Sequence, residues 1–131
     1  MKLRPMNELT VAVLKVLNDR HYKFEDGLIE RVELIFTDGV LGKQVRLDIE
    51  AKDNRSSDGW GQVTFEFRGV ELFHLLEDHT TNVVLGGIEW KAAEPGWMAD
   101  FSPFHSDNVS STFVIEAHEV WSQSTPNIES V

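Results

Sequence analysis

The sequence predicts an α+β fold that is mostly β: an antiparallel sheet or β-sandwich of about six to seven strands with one N-terminal helix. Two patterns carry this prediction. Apolar residues first recur every three to four positions, the period of a helix, and then at alternate positions, the period of a strand. A chain of 131 residues with ordinary apolar content is long enough to bury a core. We therefore expect residues 1–131 to form one domain.

The N-terminal helix is predicted over about residues 6–20. Asn7 is the expected N-cap, because it follows Pro5 and a short polar side chain there can accept a hydrogen bond from the first turn. The period of the apolar residues changes after Arg20, where we expect the helix to end. The stripe that would face the sheet is apolar and follows helical spacing: Met6, Leu9, Val13, Val16 and Leu17.

Residues 28–121 are expected to form the strand-rich core. The clearest strand covers residues 44–51, where apolar and polar side chains alternate without a break, as they do in a strand with one buried face. Residues 70–80 fit either a continued strand with a β-bulge or a short helix, and we favour the bulged strand. The polar residues 122–131 are expected to form a frayed tail.

A hairpin is predicted around the loop formed by residues 93–96. Its register pairs Ile88 with Phe101, Glu89 with Asp100, Trp90 with Ala99, Lys91 with Met98 and Ala92 with Trp97. One face of the hairpin is then apolar, while the other places Glu89 opposite Asp100. Like charges directly opposite one another destabilise a sheet, so this pair is a candidate anchor for a cation or for a partner's Arg or Lys. Glu116 and His118 share the outward face of the last strand and extend this partner-binding surface if that strand is a neighbour.

The charge of the chain is strongly negative and unevenly distributed. The formal net charge is −10, and residues 69–131 contain ten acidic side chains against the single basic Lys91. This balance argues against binding to nucleic acid or to an anionic membrane, both of which favour basic surfaces. It favours a basic protein partner, which a negative field attracts. The alternative is a surface charge that serves only solubility.

Motifs for catalysis or cofactor binding are missing from the sequence. The chain has no cysteine, which excludes thiolate metal sites, iron–sulfur clusters and cysteine nucleophiles. It has no phosphate-binding loop, no dinucleotide-binding glycine pattern and no G-x-S-x-G motif. His74 and His79 are five residues apart, a spacing that brings their rings together on neither a helix nor a strand. We expect no catalytic residue, no metal and no cofactor, and hence no enzyme.

Three segments resemble small bacterial strand-rich immunity proteins, the inhibitors that protect a cell from a polymorphic or contact-dependent toxin. The segments are Val63–Val70, which includes an F-x-G-V step, Ile88–Trp90 and Phe113–Trp121. The resemblance covers about residues 28–121 and implies a cytoplasmic, non-catalytic inhibitor that occludes a basic toxin domain. A cytoplasmic location also agrees with the lack of a recognisable signal peptide or long apolar span in the sequence.

Trp60 supports a different function. It lies between two glycines in a predicted loop, where an exposed indole can serve as an aromatic contact. The alternative to a toxin inhibitor is therefore a β-domain that binds a small ligand or a carbohydrate through exposed aromatics. A second alternative is a bacterial protein with no catalytic role and no defined ligand.

Overall fold

Alternating apolar and polar side chains build one antiparallel sheet. In the computed structural model, which describes residues 6–39, 41–76, 84–101 and 112–125, this sheet has eight strands. They are β1 (Asn7–Glu8), β2 (Glu25–Phe36), β3 (Lys43–Lys52), β4 (Trp60–Leu76), β5 (Val84–Gly86), β6 (Glu89–Ala92), β7 (Trp97–Asp100) and β8 (Thr112–Thr125). Seven of them follow the order β5-β2-β3-β4-β8-β7-β6, and β1 pairs with β8. The predicted class, α+β and mostly β, is confirmed.

One short segment joins the two edges of this sheet. β5 pairs with β2 at one end of the strand order and β6 pairs with β7 at the other, yet only Gly87 and Ile88 separate β5 from β6. The sheet therefore curves until its first and last strands meet. Trp90 of β6 then contacts Phe65 and Phe67 of β4 across the interior, with ring centroids 5.2 and 6.2 Å apart. Of the two predicted architectures, the structure has the single sheet.

The concave face of the sheet encloses the hydrophobic core. β3 and β4 alternate strictly here, so every second side chain points inward and is fully buried: Val45, Leu47, Ile49, Ala51, Val63, Phe65 and Phe67. Phe101, which follows β7, and Phe113 of β8 add an aromatic pair to the same core, with ring centroids 4.9 Å apart. Full burial of one such side chain stabilises the fold by about 1.5–3 kcal/mol, so this face supplies the main driving force for folding.

The long strand β4 contains a bulge where the sequence left two possibilities open. The register with β8 shifts between Val70 and Leu72, which leaves Glu71 as the extra residue, and Gly69 before it has a φ of +67°. β4 continues as a strand to Leu76. The preferred bulged strand is thus correct as far as Leu76, and residues 77–80 lie outside the described residues.

The helix α1 (Val11–Arg20) begins later than the sequence predicts. Its N-cap is Thr10, whose hydroxyl accepts a hydrogen bond from the Val13 N–H at 3.1 Å. The expectation of a helix from residue 6 with Asn7 as the cap is wrong, because Asn7 and Glu8 pair with β8. The prediction of a frayed tail is wrong over residues 122–125, because these residues also pair in the sheet: β8 runs to Thr125 between β1 and β4. Residues 126–131 lie outside the described residues.

α1 lies at the end of the curved sheet where β3 ends and β4 begins. Leu17 is buried in the core, and the Asn54 N–H donates to the Arg20 carbonyl at 3.1 Å. The Tyr22–Phe24 turn follows α1 and buries Phe24 against Phe65, with ring centroids 5.6 Å apart. Within the described ranges, no helix is long and apolar enough to cross a membrane.

We predict that Gly96→Ala destabilises the protein more than Gly59→Ala does. Both glycines have positive φ, +95° and +83°, so each alanine costs about 1–2 kcal/mol of backbone strain. A Cβ on Gly96 would also overlap the Ala117 carbonyl oxygen of β8, whereas a Cβ on Gly59 meets no atom within 4 Å. The additional loss for Gly96→Ala is about 1–3 kcal/mol, measured by urea unfolding. Equal losses for the two variants would contradict the close contact of the hairpin loop with β8.

Candidate functional site

β6, β7 and β8 bring the three predicted carboxylates onto one outward surface. Glu89 pairs with Asp100 across the hairpin, so the predicted register is confirmed. Asp100 pairs with Val114 of β8, which places Glu116, two residues along the same face, diagonal to Asp100. Diagonal neighbours in an antiparallel pair are about 7–8 Å apart. We call Glu89, Asp100 and Glu116 the acidic patch.

Apolar side chains alternate with the carboxylates on this surface. Met98 pairs with Lys91 on one side and with Glu116 on the other. Beyond Glu116 lies Leu72 of β4, which is 44% exposed. Val114 continues the strip as the cross-strand neighbour of Asp100. The acidic patch therefore borders an apolar strip, with one ammonium group, that of Lys91, on the same face.

His118 has a partner outside the acidic patch. It lies two residues beyond Glu116 on β8, and its Nε2 is 2.9 Å from Oε1 of Glu71, the extra residue of the β4 bulge. Both side chains are partly exposed. The structure thus places His118 at the border of the surface, where it contacts the bulge.

On the neighbouring outer face of β3 and β4, two arginines share one buried carboxylate. Glu66 is buried and accepts hydrogen bonds from Arg46 at 2.5 Å and from Arg68 at 2.7 Å. Burial raises the pKa of Glu66, but the two guanidinium groups lower it by more than burial raises it. The pKa of Glu66 therefore lies below its ordinary value. Arg68 also covers the ring of Trp121 at 4.6 Å. These basic side chains are paired locally and lie away from the acidic patch.

A second candidate site is an open groove at the end of the sheet next to α1. We call it the end groove; its volume is about 570 Å3. Trp60, the predicted aromatic contact, lines it and is 39% exposed. Tyr22 lines the same groove and is 49% exposed, so the structure supplies the second aromatic that sequence reasoning missed. Polar residues complete the lining, among them Lys52, Asn54, Ser56 and Ser57.

The turn after α1 presents Tyr22 to the end groove. Tyr22, Lys23 and Phe24 have φ values of 54°, 58° and 64°, so three successive residues are left-handed. This conformation costs about 1–2 kcal/mol per residue outside glycine. Burial of Phe24 and of His21 on either side holds the turn in place. The sequence gives no signal for it, because none of these residues is the Gly or Asn that usually marks a positive φ.

A buried ion pair forms the floor beneath the end groove. Arg20 donates from Nε to Oδ1 of Asp53 at 2.8 Å and from Nη2 to Oδ2 at 2.9 Å, and the Asp53 side chain is fully buried. The Arg55 N–H donates to the same carboxylate at 2.9 Å. Burial raises the pKa of Asp53, but these hydrogen bonds outweigh it and hold the pKa below its ordinary value.

His21 connects this floor to β3 and β8. Its Nδ1 lies 2.9 Å from the Lys52 carbonyl, which can only accept, so Nδ1 carries the proton. Nε2 then accepts from the Ser124 hydroxyl at 3.1 Å. Burial lowers the pKa of His21 by more than the Lys52 carbonyl raises it, so the ring is held neutral at pH 7.

We predict that Arg20→Met destabilises the protein by about 3–5 kcal/mol, because it leaves the Asp53 carboxylate buried and without its guanidinium partner. The matched control is Arg31→Met, which removes an exposed partner of Glu33 and costs about 0–1 kcal/mol. Urea unfolding at pH 7 measures both. Similar losses for the two variants would show that the buried pair adds nothing beyond a surface pair.

We predict that stability falls as the pH drops below about 6.5 and that His21→Asn flattens this fall. The folded-state pKa of His21 lies below 6.5, so its contribution is complete above that pH and declines as the unfolded chain takes up a proton first. Asn keeps a donor for the Lys52 carbonyl but does not titrate. Asp53 and Glu66 have lowered pKa values, so their contributions are lost only as the pH falls below the ordinary values of 3.8 and 4.5.

Urea unfolding at pH 7.0 and at pH 5.0 measures this effect. The slope that His21 supplies is at most about 1.4 kcal/mol per pH unit. An unchanged slope in His21→Asn would assign the pH dependence to other groups.

The chemistry of the two surfaces is the basis for assigning a function. Among the described residues, no three His, Asp or Glu side chains lie close enough together to hold a metal ion. No family model, no curated protein and no solved structure matches this chain. The acidic patch and the end groove are therefore interpreted from their own geometry.

Proposed function

We propose that this protein binds a basic protein partner through the acidic patch and acts as an immunity-type inhibitor of a toxin domain. The observation that carries the proposal is the strand register, which gathers Glu89, Asp100 and Glu116 around the strip of Met98 and Val114. Protein interfaces combine an apolar centre with a polar rim, and this surface has both parts.

The distribution of charge supports a basic partner. Residues 69–131 contain ten acidic side chains and one basic side chain, so the half of the chain that carries the acidic patch is strongly negative. Arg46 and Arg68 on the adjacent strands form their ion pairs with Glu66, which is not part of the acidic patch. A field of this kind accelerates encounter with a positive surface and disfavours partners of the wrong charge.

Inhibition by this route requires no chemistry from the inhibitor. A nuclease toxin recognises its substrate through Lys and Arg side chains that contact phosphates. Carboxylates of the acidic patch would form ion pairs with those Lys and Arg side chains, and the apolar strip would exclude water from the contact. The protein would act in the cytoplasm of the cell that the toxin threatens.

We predict that reversing the acidic patch slows association with the partner about tenfold or more. The probe is the product of the gene directly upstream, purified as its toxic domain if that gene encodes a basic toxin-like protein; an upstream gene of another kind would count against the proposal. The triple variant Glu89→Lys, Asp100→Lys, Glu116→Lys removes the steering charges and is compared with the wild type by stopped-flow association at several NaCl concentrations. The wild-type association rate should fall steeply with salt, and that of the variant should not.

The matched control reverses Asp19, Glu25 and Asp38, which are exposed and lie outside the acidic patch. It changes the net charge by the same amount, so it separates local contacts from total charge. The control should retain an association rate within about threefold of the wild type. Failure of the wild type to inhibit the upstream protein, or equal rates in the two triple variants, would refute the proposal.

A further inference from the structure

The end groove holds two large aromatic side chains at the surface. Trp60 and Tyr22 are 39% and 49% exposed on the same groove. Aromatic side chains of this size usually bury their rings, because burial is favourable by several kcal/mol. Their joint exposure beside polar groups is typical of a site that stacks a ligand ring and binds its polar rim.

Both walls of the end groove are fixed before any ligand arrives. Asp58 accepts hydrogen bonds from the Ser56 hydroxyl at 2.7 Å and from the Trp60 N–H at 3.0 Å, which fixes the turn leading into Trp60; Trp60 is the first residue of β4 and does not lie in the loop that the sequence predicts. On the other wall the left-handed turn sets Tyr22. Strained backbone that is held in this way concentrates at binding and catalytic sites. A preformed site also spares the ligand the entropic cost of ordering the loop.

The charges along the end groove are matched within the protein. Lys52 binds Asp26 at 2.9 Å, and Asp53 binds Arg20 in the floor. The groups that remain are amide and hydroxyl groups, which suit neutral donors and acceptors. A phosphate or carboxylate ligand would gain little here, because Lys52, the basic side chain in the lining, already binds Asp26 and the chain carries a net charge of −10.

We propose that the end groove binds a neutral oligosaccharide, one ring of which stacks on Trp60 while Tyr22 supports the neighbouring ring. Pyranose rings have an apolar C–H face that packs on an indole or phenol ring. Their hydroxyl groups at the ring edge match the Ser57 hydroxyl and the Oδ1 of Asn54, whose Nδ2 already donates to the Asp19 carbonyl at 3.0 Å. This inference is independent of the acidic patch, which lies on β6, β7 and β8.

The test uses the full chain and four defined probes: cellohexaose, xylohexaose, maltohexaose and N-acetylchitohexaose. Binding is followed by 1H–15N NMR shifts and by tryptophan fluorescence. At least one hexasaccharide should bind, with an affinity that changes less than about twofold when NaCl is raised, because no charges pair. Adenosine monophosphate is titrated in parallel as a charged stacking ligand.

The variants compare exposed aromatics inside and outside the end groove. Trp60→Ala and Tyr22→Asn should each weaken binding at least about tenfold, which corresponds to the loss of one stacked ring. Asn tolerates the positive φ at position 22, so this variant removes the ring without adding backbone strain. The control is Phe36→Ala on β2, whose side chain is 72% exposed and does not line the groove. It should bind like the wild type.

Three results would overturn the proposal. They are the absence of binding to all four hexasaccharides, equal losses in Trp60→Ala and Phe36→Ala, and tighter binding of adenosine monophosphate than of any hexasaccharide. Trp60→Phe keeps a ring at the same position and should retain part of the affinity, and its urea midpoint shows that the fold is intact. None of these outcomes depends on inhibition of a toxin, so the two proposals fail separately.

Discussion

The closure of the sheet by residues 84–92 is the constraint on which the rest of the structure depends. This segment pairs with β2 through β5 and with β7 through β6, so one stretch of chain belongs to both edges. Closure carries Trp90 onto Phe65 and Phe67 and completes the aromatic core. It also sets the curvature that exposes the outer faces of β6, β7 and β8 while protecting their inner faces.

The two proposed sites use opposite solutions to the same electrostatic problem. At the acidic patch the register brings three carboxylates together, so the surface carries a negative field. The two charged side chains that line the end groove are each bound to an opposite charge, Asp53 to Arg20 and Lys52 to Asp26. The first arrangement suits a charged macromolecule that is attracted over a distance. The second suits a neutral ligand recognised by contact.

Local patterns were sufficient for the features that depend on neighbouring residues. Alternation through the hairpin correctly predicted that Glu89 opposes Asp100, because a four-residue loop fixes the register. The start of α1 could not be predicted from local patterns, because Asn7 pairs in the sheet with Ser122, which lies far along the chain. The Arg20–Asp53 pair joins residues 33 positions apart in the sequence. Tyr22 has a positive φ, which a tyrosine in the sequence does not predict. The acidic patch was therefore visible in the sequence, while the end groove was not.

The pairing of β1 with β8 has a consequence for how the chain acquires its structure. Asn7 can pair only after Ser122 has been synthesised. β4 likewise lacks its second neighbouring strand until β8 has been made. Contacts between residues so distant in sequence slow folding, because a large loop must close before they form. During synthesis the β3–β4 hairpin can form early, but the core stays open until β8 has left the ribosome. Of the strands that the structure describes, β8 is made last, and it is the one that commits the sheet to its native arrangement.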